Sequence, residues 1–350
     1  MTGLRDTRVS PASHKSEVLT CAPSGMKATA RAHPIAGIVK YHGMRDEELR
    51  LPYHDSISIC TAPSDTTTTV EFDPALDADW YVVDGDPVEG RGAERIRTVV
   101  DEVRDRAGRD ERVRLESENS FPTNIGLGSS ASGFAAAAMA LTEAAGLDLS
   151  RPEISTIARR GSASAARAVT GAYSHLRTGA NDEDCRSERI DVADELAEDV
   201  RVVAAMVPSY KETEAAHREA AESHMFQGRM AHIHGQIAEA RDALQRGDFG
   251  AAFELAEHDS LSLAATTMTG PAGWVYWQPR TIELFNAVRE LREEGVPVYF
   301  SVDTGASVYV NTTVEHVDRV EGVVADCGVD TRVWEVGGPA RILDESEALF

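Results

Sequence analysis

Lysine is nearly absent from this sequence. Its 350 residues include 35 basic side chains, of which 31 are arginines and only 4 are lysines: Lys15, Lys27, Lys40 and Lys211. The 58 acidic residues give a formal net charge of −23. Such a surface repels phosphate, which excludes nucleic acid as a partner. Acid excess with scarce lysine is typical of salt-accumulating halophiles, where salt screens the repulsion. Each remaining lysine is therefore a candidate for a role that arginine cannot fill.

Long apolar runs are also missing. The longest, around residues 134–141, is too short and too rich in alanine to span a bilayer, and the N-terminus lacks the pattern of a secretory signal. The four cysteines lie far apart and show no metal-ligand spacing, so we expect reduced thiols; they are Cys21, Cys60, Cys185 and Cys327. These absences predict a soluble, cytoplasmic protein without a membrane partner.

Strand and helix patterns alternate after a polar start. Residues 1–25 predict a disordered tail, or an upstream start before a natural beginning at Met26. The segments "SISICTA", "TTTTVEF" and "RVRLESEN" have the period of strands, whereas "GAERIRTVVDEVRDRAG" has helical spacing with a stop at Gly108. A second helix begins at Ser150, which has capping-box spacing to Glu153.

The second half begins with a buried-looking strand, "RVVAAMVP", after the acidic stretch "DVADELAEDV". We place a boundary there, which gives lobes of residues 26–197 and 198–350. Further helical patterns and a last strand, "TRVWEV", follow; the helices are expected at 213–224, 229–246, 249–263, 280–294 and near 315–326. Mixed strands and helices in two lobes predict the α+β class.

The stretch "FPTNIGLGSSASGFAAAAMALTEAAG" sets glycines and serines directly before a strong helix former. Gly126 and Gly128 permit close backbone approach, and unpaired N–H groups at a helix start attract an anion. The loop matches neither G-x-x-x-x-G-K-[ST] nor G-x-G-x-x-G, the usual nucleotide motifs. On its own the stretch indicates either a phosphate cradle or a flexible turn before a core helix.

Four stretches together resemble the GHMP kinase superfamily, and within it the mevalonate diphosphate decarboxylases. In chain order they are "ARAHPIAGIVKYHGMRDEELRLPYHDSISI", "SFPTNIGLGSSASGFAA", "IARRGSASAARAVTGAYSHL" and "VYFSVDTGASVYV". The resemblance runs from about Met26 to Val336. It implies a two-lobed GHMP-kinase fold, with a ribosomal protein S5 domain 2-like N-terminal lobe that binds ATP and a ferredoxin-like C-terminal lobe. It also implies ATP, Mg²⁺ and a phosphorylated mevalonate as ligands, and a homodimer.

The resemblance assigns roles to individual residues. Asp303 matches the carboxylate that orients or deprotonates the C3 hydroxyl, Lys40 matches a lysine beside it, and Arg167 matches an arginine that holds substrate carboxylate or phosphate. Tyr41, Ser162 and Ser164 match groups that bind substrate phosphate. The ATP-binding residues implied are Asn119, Pro122, Gly126, Leu127, Gly128, Ser129, Ser130 and Ser132. Ser130 is also the candidate Mg²⁺ ligand, acting together with the ATP phosphates.

Two departures from the family pattern stand out. Ala306 and Ser307 replace the usual Pro-Asn after the aspartate-x-glycine, and "KYHGMRD" has Met44 where the family's "KYWGKRD" has a second lysine. A thioether cannot offset the outer charge of a diphosphate, so either another cation, such as Lys211 or Arg218, compensates or the substrate carries less charge.

Four functions remain in competition. The sequence favours ATP-dependent decarboxylation of mevalonate 5-phosphate to isopentenyl phosphate in isoprenoid synthesis. The close rival is decarboxylation of mevalonate 5-diphosphate. The others are a small-molecule kinase that stops after phosphoryl transfer and a non-catalytic binding protein on the same fold.

Overall fold

The computed structural model describes residues 26–121, 128–209 and 213–350. The strands are β1 (Lys27–Ala32), β2 (Ile35–Val39), β3 (Met44–Asp46), β4 (Leu51–Pro52), β5 (Ser56–Ala62), β6 (Thr66–Asp73), β7 (Trp80–Val83), β8 (Asp86–Pro87), β9 (Arg112–Asn119), β10 (Tyr173–Leu176), β11 (Ser187–Arg189), β12 (Val200–Met206), β13 (Tyr299–Ser301), β14 (Val308–Thr313), β15 (Asp330–Val336) and β16 (Arg341–Ile342). The α-helices are α1 (Gly90–Ala107), α2 (Ser129–Ala144), α3 (Arg151–Gly161), α4 (Ala165–Thr170), α5 (Asp194–Asp199), α6 (Thr213–Glu219), α7 (Phe226–Arg246), α8 (Phe249–Met268), α9 (Pro279–Glu293) and α10 (Val317–Asp326). Short 3₁₀ turns lie at Ala220–Glu222 and Glu345–Glu347.

The first sheet has the strand order β16-β1-β6-β9-β7-β8 and is covered by α2. Alanines of α2 (Ala131, 135–138 and Ala140) are buried against it. Because their side chains are small, the helix axis lies close to the strands. The C-terminal strand β16 pairs with β1, so the end of the chain returns to the lobe in which it began.

The second sheet has the order β11-β10-β5-β15-β12-β14-β13, and β2 pairs with β5. It combines strands from both halves of the chain, which meet where Thr61 and Ala62 of β5 pair with β15. Side chains of β12 alternate between its two faces, as strand geometry requires. Val202 and Ala204 join one core cluster, with residues of α7 and α8, whereas Val203 and Ala205 join another, with residues of α9 and α10.

Local signals in the sequence explain several helix ends. Gly108 has a positive φ of 62° after α1, and its N–H bonds to the carbonyl of Arg104. Glu153 accepts from both the N–H and the hydroxyl of Ser150 at the start of α3. Helix α3 ends at Gly161, and a new helix, α4, follows after a short turn.

The predicted elements agree well with the structure, and the α+β class is confirmed. The expected helix at 213–224 is shorter, because α6 ends at Glu219 and a 3₁₀ turn continues it, while α8 extends to Met268.

Cys60, Cys185 and Cys327 are buried free thiols. No helix in the described part of the chain has the length and apolar character to cross a membrane. The tail at 1–25 lies outside the described residues, and the lobe boundary and the homodimer stay predictions.

Gly171 provides a test of how the chain end packs against the first lobe. Its φ of 70° and ψ of 179° suit glycine alone, and an added Cβ would lie 2.2 Å from Cα of Pro339. We expect Gly171→Ala to lower the free energy of unfolding by about 3 kcal/mol or more, because backbone strain and overlap add. Denaturant and thermal midpoints measure the change.

Gly322→Ala is the matched control. Gly322 is an exposed position in α10 with nothing within 4 Å of an added Cβ. Alanine should stabilise that helix by about 0.5–1 kcal/mol. If Gly171→Ala unfolded at the same midpoint as the wild type, the close packing at Pro339 would be refuted.

Candidate active site

Lys40 and Asp303 meet beside a glycine. Lys40 directly follows β2, and Asp303 lies in the loop between β13 and β14. A Cβ added to Gly37 would lie 2.5 Å from Cγ of Lys40 and 3.0 Å from Oδ1 of Asp303. Both side chains therefore border the same small space, and they reach it because Gly37 has no side chain. The two residues assigned to the reaction lie together.

The ammonium group of Lys40 is buried and held by helix α8. Its Nζ lies 3.1 Å from Oγ of Ser260 and 3.5 Å from Oδ2 of Asp259. Ser260 also accepts the N–H of Val302, one residue before Asp303, at 3.0 Å. Burial lowers the pKa of Lys40, and the carboxylates of Asp259 and Asp303 oppose that shift. One helix turn thus positions the lysine and the strand that leads to the aspartate.

Arg167 is a buried cation that has unused donors. Its guanidinium lies 5.4 Å from the centre of the Tyr41 ring, and only 4% of the residue is exposed. Nε and Nη1 have no hydrogen-bond partner among the described residues. Burial lowers the pKa of Arg167, while Tyr41 and Asp303 act to raise it. A desolvated cation with free N–H groups is costly unless an anion binds it, so this fork suits a carboxylate or phosphate.

Tyr41 lies among basic side chains. Burial raises its pKa, and Arg167, Arg50 and Arg95 act in the opposite direction, which places all three cations near it. Nε of Arg50 donates to the carbonyl of Arg160, and Nε of Arg95 donates to that of Gly161. The last carbonyls of α3 therefore hold both arginines close to the predicted phosphate site.

Two serine hydroxyls belong to the predicted phosphate site. Oγ of Ser162 and Oγ of Ser164 are 2.9 Å apart, in the turn between α3 and α4. The ring of His217 stacks on that of Tyr41, with the ring centres 4.9 Å apart. Nδ1 of His217 accepts the N–H of Gly43 at 3.3 Å. Arg167 thus contacts Tyr41 through its guanidinium and Ser164 through its backbone N–H, and the binding of substrate phosphate by these residues stays a prediction.

Asp303 also borders an aromatic wall. A small cavity beside it is lined by Trp274, Tyr276 and Trp277 together with Gly305. The rings of Trp274 and Tyr276 stack with their planes 4° apart. Aromatic rings therefore form one side of the space beside the Asp303 carboxylate.

Ala306 and Ser307, which stand where the family has Pro-Asn, form hydrogen bonds with other elements of the fold. The hydroxyl of Thr281, in α9, donates to the carbonyl of Ala306 at 2.8 Å. Oγ of Ser307 accepts the N–H of Val207 at 3.2 Å. Hydrogen bonds to two other elements therefore hold this loop in the absence of the Pro-Asn pair.

The start of α2 has open donors. Gly128 precedes the helix with a φ of 80°, and an added Cβ would lie 3.3 Å from the carbonyl oxygen of Ile35. No acidic side chain lies in the first turn, and Ser130 is exposed there. The first N–H groups of a helix lack partners within it, so this end fits an anion.

The other predicted ATP-binding residues differ in position. Ser129 begins α2, whereas Ser132 is fully buried and its hydroxyl pairs with that of Thr66 at 2.7 Å. Asn119 bonds through its side chain to Asp84 and Thr66. Their contact with ATP stays a prediction. Pro122, Gly126 and Leu127 lie outside the described residues.

Of the two proposed replacements for the missing lysine, the structure describes only Arg218. Met44 begins the short β3–β4 hairpin and is half-buried. Arg218 is exposed on α6, and Lys211 lies outside the described residues. The basic residues found near Tyr41 are Arg167, Arg50 and Arg95.

Sequence reasoning missed the residues that position the site. Gly37 and Asp259 match no chemical motif, and each acts through contacts across the fold. The scarcity of lysine was the one signal in the sequence that was related to these residues, because it marked Lys40 as a residue that needs a specific environment.

Residues 32–187 match a protein family described as Diphosphomevalonate decarboxylase-like N-terminal domain. The chain is also similar to the phosphomevalonate decarboxylase of Haloferax volcanii. The two are 77% identical over 326 residues, which is 93% of this chain and 100% of that protein.

Solved structures have the same fold. The crystal structure of mevalonate diphosphate decarboxylase from Staphylococcus aureus is 29% identical, with a TM-score of 0.87 over 91% of this chain and 98% of that one. A structure described as MDDEF in complex with MVAPP, AMPPCP and magnesium is 27% identical, with a TM-score of 0.85 over 91% of this chain and 99% of that one.

Replacing Gly128 tests the open end of α2. We expect Gly128→Val to abolish binding of an ATP analogue, because a β-branched residue resists a φ of 80° and its Cβ would crowd the Ile35 carbonyl. Equilibrium titration of a fluorescent analogue provides the measurement. Gly133→Ala, on the same helix with free space around it, serves as the control. An affinity within about twofold of wild type for Gly128→Val would count against the cradle.

Proposed function

The chain belongs to the diphosphomevalonate decarboxylase family, and from this membership we propose that it converts mevalonate 5-phosphate and ATP to isopentenyl phosphate, ADP, phosphate and carbon dioxide. The observation that carries the proposal is the buried guanidinium of Arg167, whose Nε and Nη1 are unpartnered in the described structure. It lies near Asp303, which itself borders Lys40. This combination suits an anionic substrate that is phosphorylated at a hydroxyl.

The first step is transfer of the γ-phosphoryl group. The Asp303 carboxylate accepts the proton of the C3 hydroxyl as that oxygen attacks the γ-phosphorus, and ADP leaves. The ammonium of Lys40 offsets negative charge at the same oxygen. A lysine suits this position because its compact charge approaches a single oxygen.

The second step removes the new phosphate. The C3–O bond breaks and inorganic phosphate leaves with its electron pair. The bond between C2 and the carboxylate carbon then supplies the electrons of the alkene, and carbon dioxide is released. Arg167 holds the substrate through its carboxylate or phosphate, and Ser162, Ser164 and Tyr41 bind the 5-phosphate. Aromatic side chains border Asp303 on one side of the space where this step takes place.

ATP binds with its phosphates at the start of α2. The residues that fit this role are Gly128, Ser129 and Ser130, because the turn leaves N–H groups and a hydroxyl open. Mg²⁺ would enter with the nucleotide, neutralise phosphate charge and take the Ser130 hydroxyl as a ligand. A relative's structure with AMPPCP and magnesium supports ATP and Mg²⁺ as ligands.

The monophosphate is favoured over the diphosphate by Met44. This residue brings no charge to the phosphate end of the site, and Arg218 is exposed. A desolvated anion that loses water without gaining a partner is costly, so the less charged ester is preferred. The name of the relative with 77% identity, phosphomevalonate decarboxylase, supports the same choice. The retained Lys40, Asp303 and Arg167 favour full decarboxylation over a kinase that stops after phosphoryl transfer.

Asp303→Asn tests the proton acceptor. The amide keeps the shape but removes the charge and the basicity, so turnover should fall by roughly 10²–10⁴-fold. Carbon dioxide and ADP are measured separately, and the affinity for an ATP analogue should be unchanged. Turnover at the wild-type rate would refute the role given to Asp303.

Met44→Lys tests the choice of substrate. The wild type should show a higher kcat/KM for mevalonate 5-phosphate than for the 5-diphosphate, and the added ammonium should narrow or reverse that ratio. Assays are run in high salt, and Met44→Leu controls for the change of side chain. A higher wild-type kcat/KM for the diphosphate would contradict the monophosphate proposal and leave the family assignment unchanged.

A further inference from the structure

We propose that Asp259 is a positioning residue for Lys40: its carboxylate, held by Arg229, fixes the ammonium group beside Asp303 and keeps it charged. The catalytic meaning of this inference rests on the proposed function. The arrangement itself is a property of the folded chain and is measurable without substrate.

Asp259 is completely buried between two cations. Its Oδ2 accepts the backbone N–H of Lys40 at 2.8 Å and lies 3.5 Å from Nζ of the same residue. Its Oδ1 accepts from Nη2 of Arg229 at 2.8 Å. Burial alone would raise the pKa of Asp259, but Arg229 and Lys40 hold it below its ordinary value. The carboxylate therefore stays ionised without contact with water.

Arg229 locks this carboxylate in place. Its Nη2 also donates to the carbonyl of Lys40 at 2.6 Å, and its Nη1 donates to the hydroxyl of Ser262 at 3.0 Å. Main chain and side chain of Lys40 are thus both fixed by a pair of residues from α7 and α8. Arg229 holds Oδ1 of Asp259, and Lys40 holds Oδ2 through its backbone N–H, so both carboxylate oxygens are fixed.

The reaction explains why a second carboxylate is needed. The groups of the described chain that face Lys40 are Asp259 and Ser260 from α8, Arg229 from α7 and Asp303 from the β13–β14 loop. Burial and Arg229 favour the neutral amine, and only the two carboxylates oppose them. In the proposed first step Asp303 takes up a proton and loses its charge. Asp259 then remains as the carboxylate that keeps Lys40 an ammonium while the phosphate forms and leaves.

The small number of lysines makes a direct test feasible. With four lysines in the chain, ¹³Cε-lysine labelling gives four side-chain signals, and Lys40→Arg identifies the one from Lys40. We expect the titration midpoint of Lys40 in Asp259→Asn to fall by about one to three pH units, the range for loss of an adjacent opposite charge. The basic limb of the kcat/KM profile should move to lower pH with it.

Glu257→Gln is the matched control. Glu257 lies on the same helix, is also buried and binds Arg292 through both oxygens, at 3.0 and 3.1 Å. Its loss should lower stability without moving the Lys40 titration or the basic limb. A Lys40 midpoint that is unchanged in Asp259→Asn, with activity reduced equally at all pH values, would show that Asp259 is only structural and would overturn the proposal.

Asp259→Asn leaves Arg229 without its anion, so this variant can fail to fold. In that case a second comparison tests the proposal. Arg229→Met and the double variant Arg229→Met/Asp259→Asn differ only in the Asp259 charge, and the Lys40 midpoint should again be lower in the double variant. Equal midpoints would overturn the proposal. Failure of the proposed function would appear separately, as a missing product with the NMR shift intact.

Discussion

The buried contact between Lys40 and Asp259 joins residues that are 219 positions apart, and the site depends on it. Lys40 ends a strand of the first half, and α8 belongs to the second. Helix α8 packs against both β2 and β13, the strands that lead to Lys40 and to Asp303. The shared second sheet fixes those strands relative to each other. A shift of either half would therefore separate the ammonium from the carboxylate, so fold stability and site geometry rest on the same contacts.

Charge is distributed in opposite ways on the surface and in the site. The chain as a whole carries a net charge of −23. Three arginines nevertheless lie near the half-buried Tyr41: Arg167, Arg50 and Arg95. Lys40 lies beside Asp303 in the neighbouring part of the site. High salt screens exposed charges strongly and buried ones much less. An acidic surface therefore costs little affinity for an anionic substrate in salt, while the enclosed cations keep their attraction. The choice of lysine at position 40 in a chain dominated by arginine reflects the need for a point charge there.

The sequence predicted most of the elements and brought forward candidate site residues, for reasons of two kinds. Strands such as β9 and β12 and the capping box at Ser150 follow from local periodicity and hydrogen bonding, which the sequence carries directly. Asp303, Lys40 and Arg167 were found because their motifs resemble those of a known family. Gly37 and Asp259 escaped both routes. Gly37 has no side chain and so leaves space for Lys40 and Asp303, which lie 3 and 266 positions away from it in the sequence. Asp259, on α8, acts through its contact with Lys40, which follows β2 in the other half of the chain. Such features depend on tertiary contacts that no local pattern records.

The proposed phosphate end of the site is built from residues other than those of the proposed reacting end. Arg50 and Arg95 donate to the last carbonyls of α3, where the helix dipole places partial negative charge, so part of their positive charge is already balanced. Arg167 keeps two open donors, and the hydroxyls of Ser162 and Ser164 lie 2.9 Å apart in the turn that follows α3. In the proposed binding mode this set holds the 5-phosphate and the substrate carboxylate. Met44 stands where the family pattern has a second lysine, so it offers no charge to a second phosphate. The proposed reacting end, with Lys40, Asp303 and Asp259, is built from other elements. The proposed choice of ester and the proposed chemistry therefore rest on different contacts.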